Sequence, residues 1–194
     1  ASLDKLQQFT QVARGEIGRL DYIVSQFLQA LRPSTPRLRA ADLNVTVRET
    51  LDLLRPELEN RGLLVVEQLT PDLTHAWCDP DQVKQALVNL IRNAMQAMTR
   101  GGTLTVATGA HASGHWFSVE DTGGGIPQDT MNRLFKPFHT TKKKGTGLGL
   151  MIVQRVVHAH HGRIDVESHV GRGTRFRIWL PDPPQVRLLA EPAP

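Results

Sequence analysis

Asn89-Leu90-Ile91-Arg92-Asn93-Ala94-Met95-Gln96-Ala97 is the stretch that decides the fold. It closes a helix opened by Asp79 or Asp81, in which Val83, Leu87, Leu90, Ile91, Ala94 and Met98 recur at the spacing of one apolar face. A second stripe, Gln85, Asn89, Asn93 and Gln96, falls at four- and three-residue steps on the other side. Mid-helix asparagines compete with the backbone for hydrogen bonds, so they are unfavourable without a use. A solvated outer face would account for two of them alone. Their company further along the chain argues for a site.

That company is glycine. Only three of the 16 glycines fall in the first 100 residues, and six of the rest lie between Gly123 and Gly149. The first cluster is Val119-Glu120-Asp121-Thr122-Gly123-Gly124-Gly125-Ile126-Pro127. A carboxylate at a strand end can accept from an amino group while a flat ring approaches bare backbone. Asp-Thr-Gly also occurs in aspartic proteases, but no second copy is present and three successive glycines suit ligand approach better than a general base. The second cluster, Gly145-Thr146-Gly147-Leu148-Gly149-Leu150, runs into a helix whose N–H groups and dipole favour an anion. Lys142, Lys143 and Lys144 stand just before it; such a run is ordinarily a solvated loop, but beside this helix start at least one of them is expected as a counter-charge. Gly171-Arg172-Gly173-Thr174 opens the last strand. Neither a P-loop nor a complete dinucleotide-binding glycine motif is present.

Around these motifs the chain reads as one α+β unit over residues 38–181, with about five strands and three helices segregated on one sheet face. Short strands are expected at 37–42, 63–68, 75–77, 104–108, 116–120, 163–168 and 174–180. Helices are expected from an Asn44 cap to about residue 60, over the asparagine-bearing segment, and at 148–160. Ahead of this unit, residues 3–31 carry a heptad of Leu3, Leu6, Thr10, Ala13, Ile17, Leu20, Val24, Phe27 and Leu31. Phe9, Val12, Ile23 and Leu28 widen the stripe, which fits a helical bundle. Such a helix is a rod of roughly 40 Å, too long for one small domain to cover, so dimerisation through it is expected. The expected domains are a bundle helix over 1–32, a linker at 33–37, the α+β unit at 38–181 and a Pro-rich disordered tail at 182–194.

Composition excludes other classes. With 23 Lys and Arg against 19 Asp and Glu, the formal net charge is +4, and 40% of residues are hydrophobic. The basic residues are dispersed, aromatics are 5% and no recognition motif appears, so a nucleic-acid partner is not expected. No apolar run approaches the ~20 residues that span a bilayer. One cysteine, Cys78, excludes an intrachain disulfide and a Cys-rich zinc site. The chain starts Ala-Ser-Leu-Asp with no signal-peptide pattern and reads as a piece of a longer, cytoplasmic protein whose parent could carry a membrane anchor.

In order and spacing, these segments resemble the catalytic, ATP-binding domain of sensor histidine kinases, within the superfamily that includes gyrase, Hsp90 and MutL. Asn89 to Ala97 is similar to its N box and Asp121 to Pro127 to its first glycine box. Leu134-Phe135-Lys136-Pro137-Phe138, continuing to Lys142, resembles its F box and lid. Gly145 to Leu150 and Gly171 to Thr174 resemble its remaining glycine boxes. The Phe-x-Thr-Thr-Lys segment is most like the nitrogen-regulation type. The resemblance implies a two-layer Bergerat-type sandwich of a mixed, roughly five-stranded sheet and about three helices. It implies ATP and Mg²⁺ as ligands, with Asp121 on the adenine amino group and Gly123, Gly125, Ile126 and Thr174 shaping the base pocket. Asn93 would hold Mg²⁺ through its amide oxygen, a hard ligand suited to that ion. Asn89 and Gln96 would line the phosphate side, and Thr146, Gly147, Leu148, Gly149 and Leu150 would close on the phosphates. A lid over 128–144, bearing Phe138, Thr141 and Lys142 and ending before Gly145, would order over the nucleotide.

Where ATP-hydrolysing relatives carry a glutamate, this sequence has Asn89, and an amide is no general base. The resemblance therefore implies phosphoryl transfer to a histidine and onward to the aspartate of a response-regulator receiver domain. All eight histidines lie at position 75 or later, so the first dimerisation helix and its acceptor histidine are expected outside this sequence. Residues 3–31 look like the second helix of that hairpin. A related serine kinase or ATPase and a nucleotide-gated interaction module remain as alternatives. His158, His160 and His161 suggest a metal cluster at first glance, but no neighbouring carboxylate or thiol completes one. Asp121→Asn is expected to abolish ADP and ATP binding in calorimetry; undiminished affinity would overturn the base-pocket assignment.

Overall fold

The computed structural model describes residues 35–111, 113–136 and 147–183, together with helical residues 5, 7, 9–11, 13–15, 17 and 18. The remainder of the segment expected as a bundle helix, the second half of the lid and residues 184–194 lie outside the described residues.

In chain order the elements are β1 (Arg39–Ala41), α1 (Leu43–Asn60), β2 (Leu63–Leu69), β3 (Ala76–Cys78) and α2 (Pro80–Ala97). They continue with β4 (Gly102–His111), β5 (Gly114–Asp121), α3 (Gln128–Met131), α4 (Gly149–Ala159), β6 (Arg163–His169) and β7 (Gly173–Pro181). Five strands form a mixed sheet in the order β2-β4-β5-β7-β6, and β1 and β3 make a separate antiparallel pair. Only the β2–β4 pair of the large sheet is parallel. Helix α2, which lies between β2 and β4 in the chain, is the crossover that this parallel pairing needs.

Strand alternation sorts the sheet into two faces. Phe117 and Val119 of β5, and Phe176, Ile178 and Leu180 of β7, point inward and are buried. They join Leu43, Val47, Leu51, Leu54 and Leu58 of α1, the apolar face of α2, and Val153, Val156 and Val157 of α4 in one core. The opposite face carries Trp116 and Trp179 as cross-strand partners, with the Arg177 guanidinium 4.8 Å from the Trp116 ring centroid. The expected two-layer arrangement is therefore what the chain adopts. Trp116 and Trp179 are half-buried on this outer face, and Trp77 is 39% exposed.

One of the two expected caps is replaced. Asp42, not Asn44, caps α1, its Oδ1 accepting from the N–H of Asn44 at 2.7 Å and of Val45 at 3.3 Å. Asn44 is buried instead, donating to the Thr70 carbonyl at 2.9 Å and accepting from the Thr108 hydroxyl at 2.5 Å. Both residue types cap well, and burial of Asn44 between β2 and β4 decides between them. Asp79 caps α2 through Oδ1, which accepts from Asp81 and Gln82, while its Oδ2 accepts from the Arg37 N–H at 2.9 Å.

The same Asp79 links α2 to the end of α4. Its N–H donates to His160 Nε2 at 2.9 Å, and His160 Nδ1 lies 2.7 Å from the Val156 carbonyl. Nδ1 must then carry the proton and Nε2 the lone pair, so the ring is neutral in the fold. Both ring nitrogens are thus committed, and no group of three metal-ligating side chains occurs among the described residues. Burial pushes the His160 pKa down, outweighing the opposing effects of the Val156 carbonyl and Asp79. A depressed imidazole pKa contributes stability above the unfolded value of ~6.5, and that stability is lost as pH falls through the folded value. Urea titrations between pH 7.5 and 5 should show this loss in the wild type and a shallower one in His160→Phe. That variant should also be destabilised by about 1–3 kcal/mol at pH 7.5, because the Asp79 N–H is left buried without an acceptor.

Candidate functional site

Helix α2 forms one wall of the site, because its polar stripe lies across from the leucines that hold it to the sheet. Asn89 is buried at 8% exposure, and its Nδ2 donates to the Gln85 carbonyl one turn back at 2.9 Å. That bond turns Oδ1 away from the helix toward the start of α4. A Cβ placed on Gly149 would lie 3.1 Å from Asn89 Oδ1 and 3.8 Å from Asn93 Nδ2. The first turn of α4 thus rests directly on the two asparagines. Leu148 precedes that turn with no side-chain cap, and the turn contains no acidic residue. The dipole of α4 therefore presents its positive end there with no acidic side chain in the first turn. Leu148 itself is 1% exposed, so its side chain is buried and cannot line a ligand.

The turn after β5 forms the opposite end. Asp121 is 5% exposed, and its Oδ1 accepts from the Gly123 N–H at 2.8 Å. Register pairs it with Thr174 of β7, also 5% exposed and on the same inner face. The glycines here are explained by the chain's own backbone before any ligand is considered. Gly125 has φ +70, and a Cβ on it would strike the His169 carbonyl. Gly173, at φ +115, would strike the Asp121 carbonyl, and Gly123 would meet the Ala97 carbonyl at 2.7 Å. Gly124 alone of the triplet faces open space, so it is the one with room for a flat ring. Gly124 also accepts the Gly171 N–H at 2.9 Å, tying the turn to the β6–β7 hairpin.

One participant escaped the sequence reading. The Ser168 hydroxyl touches the Ile126 N–H at 2.8 Å, the Gly173 carbonyl at 3.1 Å and the Thr174 hydroxyl at 2.9 Å. A serine before a hairpin carries no signal of its own; only the pairing of β6 with β7 brings it under the Asp121 turn.

Of the expected residues, the structure brings together Asn89, Asn93 and the Gly147–Leu150 segment at one end, and Asp121, Gly123, Gly125, Ile126 and Thr174 at the other. The two ends are joined by α2, whose Ala97 carbonyl touches the turn about one helical turn, or ~6 Å, beyond Asn93. Gln96 is exposed on α2. The lid begins as the short α3 and continues in turns to residue 136, and Phe138, Thr141, Lys142, Gly145 and Thr146 lie outside the described residues.

A carboxylate paired with a buried hydroxyl, linked by an asparagine-lined helix to an uncapped helix start, is a nucleotide-type site. Residues 78–184 match the model of the histidine kinase-, DNA gyrase B- and HSP90-like ATPases. The chain belongs to that family. It is 37% identical over 174 residues to the sensor histidine kinase ZraS of Escherichia coli K12, covering 90% of this chain and 37% of ZraS. It is 34% identical to sporulation kinase E of Bacillus subtilis 168, covering 89% of this chain and 24% of that kinase. Among solved structures, full-length ShkA in complex with AMPPNP superposes with a TM-score of 0.80 at 25% identity, over 90% of this chain and 38% of that one. The nucleotide-free catalytic domain of the histidine kinase ThkA gives 0.69 at 28% identity, over 75% of this chain and 96% of that one. The described α+β unit is an ATP-binding domain of the sensor-histidine-kinase kind. The chain spans less than half the length of these curated relatives.

The glycine geometry makes a direct contrast testable. Gly125→Ala combines a left-handed φ with a backbone clash and should lower stability by more than ~1 kcal/mol in denaturant titration, with weakened ADP affinity. Gly124→Ala has open space and should stay within ~0.5 kcal/mol of the wild type.

Proposed function

We propose that this domain binds Mg²⁺–ATP along α2 and donates the γ-phosphoryl group to a histidine, from which it passes to an aspartate of a response-regulator receiver domain. The observation that carries this reading is the seating of the α4 start on Asn89 and Asn93, where the positive end of the helix dipole meets the polar stripe of α2. The base lies at Asp121 and Thr174, and the triphosphate runs along α2 toward α4, where N–H groups and dipole meet its charge. The Asn93 amide oxygen fits a hard cation and would hold Mg²⁺, which would supply positive charge to offset that of the triphosphate.

Phosphoryl transfer of this kind is mainly positioning and charge neutralisation. An acceptor imidazole nitrogen forms the N–P bond as the bond from γ-phosphorus to the bridging oxygen breaks and ADP departs. Asn89 fits transfer rather than hydrolysis, because its amide cannot take a proton from water near neutral pH. The surroundings of two histidines disfavour them as the acceptor. His160 is fully engaged, and His115 is 3% exposed between Thr74 and Asp182. Dimerisation through residues 3–31 accords with the exposure of Phe9 and Ile17, at 71% and 66%, in the single chain. The nitrogen-regulation subgroup and a cytoplasmic setting are part of the same proposal. No helix among the described residues is long and apolar enough to cross a membrane.

The test is incubation of the purified chain with γ-labelled ATP and Mg²⁺. Nucleotide should bind, little phosphate should be released, and no acid-labile label should appear on the chain itself. Acid-stable phosphoserine or rapid turnover would favour a serine kinase or an ATPase instead.

A further inference from the structure

The hydrogen-bond bookkeeping around Ser168 has one solution. A serine hydroxyl has a single hydrogen and two lone pairs. The Ile126 N–H, 2.8 Å away, can only donate, so it occupies one lone pair. The Gly173 carbonyl, 3.1 Å away, can only accept, so it takes the hydrogen. The remaining contact, 2.9 Å to Thr174 Oγ1, can then be made only with Thr174 donating into the second lone pair. All three contacts coexist in this arrangement and in no other.

The consequence falls on Thr174. Its hydrogen is consumed by Ser168, so its oxygen can only accept from anything else. Asp121, its cross-strand partner on the inner face, contributes a carboxylate whose Oδ1 is likewise an acceptor. Side chains paired across an antiparallel sheet stand ~5 Å apart, close enough to meet one substituent of a bound ring together or through one water.

Resting on the adenine-nucleotide reading above, we propose that Ser168 is a specificity-determining positioning residue: by holding Thr174 as an acceptor, it makes the base subsite select a 6-amino purine and reject a 6-oxo purine. An amino group supplies two donors to these acceptors. A carbonyl oxygen in the same place would face lone pairs from both side chains, and an unmatched buried acceptor is costly. Without the Ser168 oxygen, the Thr174 hydroxyl is released to rotate and donate, which accommodates the carbonyl. Ser168 touches no part of the base itself and acts through Thr174.

The test is calorimetric titration of the full chain with ADP and with IDP, which differ at the 6-position and lack the complication of a 2-amino group. The wild type should prefer ADP. Ser168→Ala should shrink the ADP-to-IDP affinity ratio by about three- to tenfold, the worth of one net hydrogen bond. Ser168→Thr, which keeps a hydroxyl, should retain the wild-type ratio. In a Thr174→Val background, Ser168→Ala should leave the ratio unchanged, since there is no hydroxyl left to orient. Ser168→Cys, close in volume and poor at hydrogen bonding, gives the same reading if the alanine variant does not fold. An unchanged ratio in Ser168→Ala or Ser168→Cys, with only a uniform loss of affinity or stability, would overturn the proposal and leave Ser168 a structural tie. A wild type that binds neither diphosphate would instead overturn the nucleotide reading beneath it.

Discussion

The site depends on two places where backbone meets backbone too closely for any side chain. Gly125 fits beneath the His169 carbonyl, and Gly173 fits against the Asp121 carbonyl. These contacts press the turn after β5 into the β6–β7 hairpin, and both glycines hold positive φ values that side chains rarely adopt. Asp121, Thr174 and Ser168 meet because of that nesting. Their geometry is set by interlocked main chain, which is stiffer than any arrangement of surface side chains.

Helix α2 carries the other half of the burden by having two unlike faces. Its leucines and Ile91 are held in the core, which fixes the rotation of the helix about its axis. Once that rotation is fixed, Asn89 and Asn93 have no choice of direction. The unfavourable propensity of mid-helix asparagine is tolerated because Asn89 is tied back to the Gln85 carbonyl and packed beneath the start of α4. At the far end of α4, His160 joins the α2 cap at Asp79. The two helices that flank the site are therefore fastened by a buried hydrogen bond at the end of α4 and by close packing on Asn89 at its start. Cys78, beside that cap, is chemically quiet: burial, with Asp79 adding to it, pushes the thiol up to about 12.

Much of this was legible residue by residue. The periodicity of Val83, Leu87, Leu90 and Ala94 identified α2 and its buried face, and each of these is buried. The glycine clusters marked the two turns. Cap choice was less legible, because Asp42 and Asn44 are equally good caps and only the packing of β2 and β4 over Asn44 separates them. Strand parity places Trp116 and Trp179 on the outer sheet face, where Gly109 and Gly114 leave room for their rings.

The sequence by itself determined the elements, the two-faced helix and the family motifs, since these follow from periodicity and spacing along one chain. It could also fix that position 89 is an amide and not a base. Which partner each polar group would find was decided only by the tertiary structure. Hydrogen bonds between Ser168, Ile126 and Thr174 join residues up to 42 positions apart, and no local pattern encodes such a meeting. The glycines show the same division: composition revealed that bare backbone was needed, and the fold revealed that the protein's own carbonyls occupy two of the three positions, leaving Gly124 to face outward.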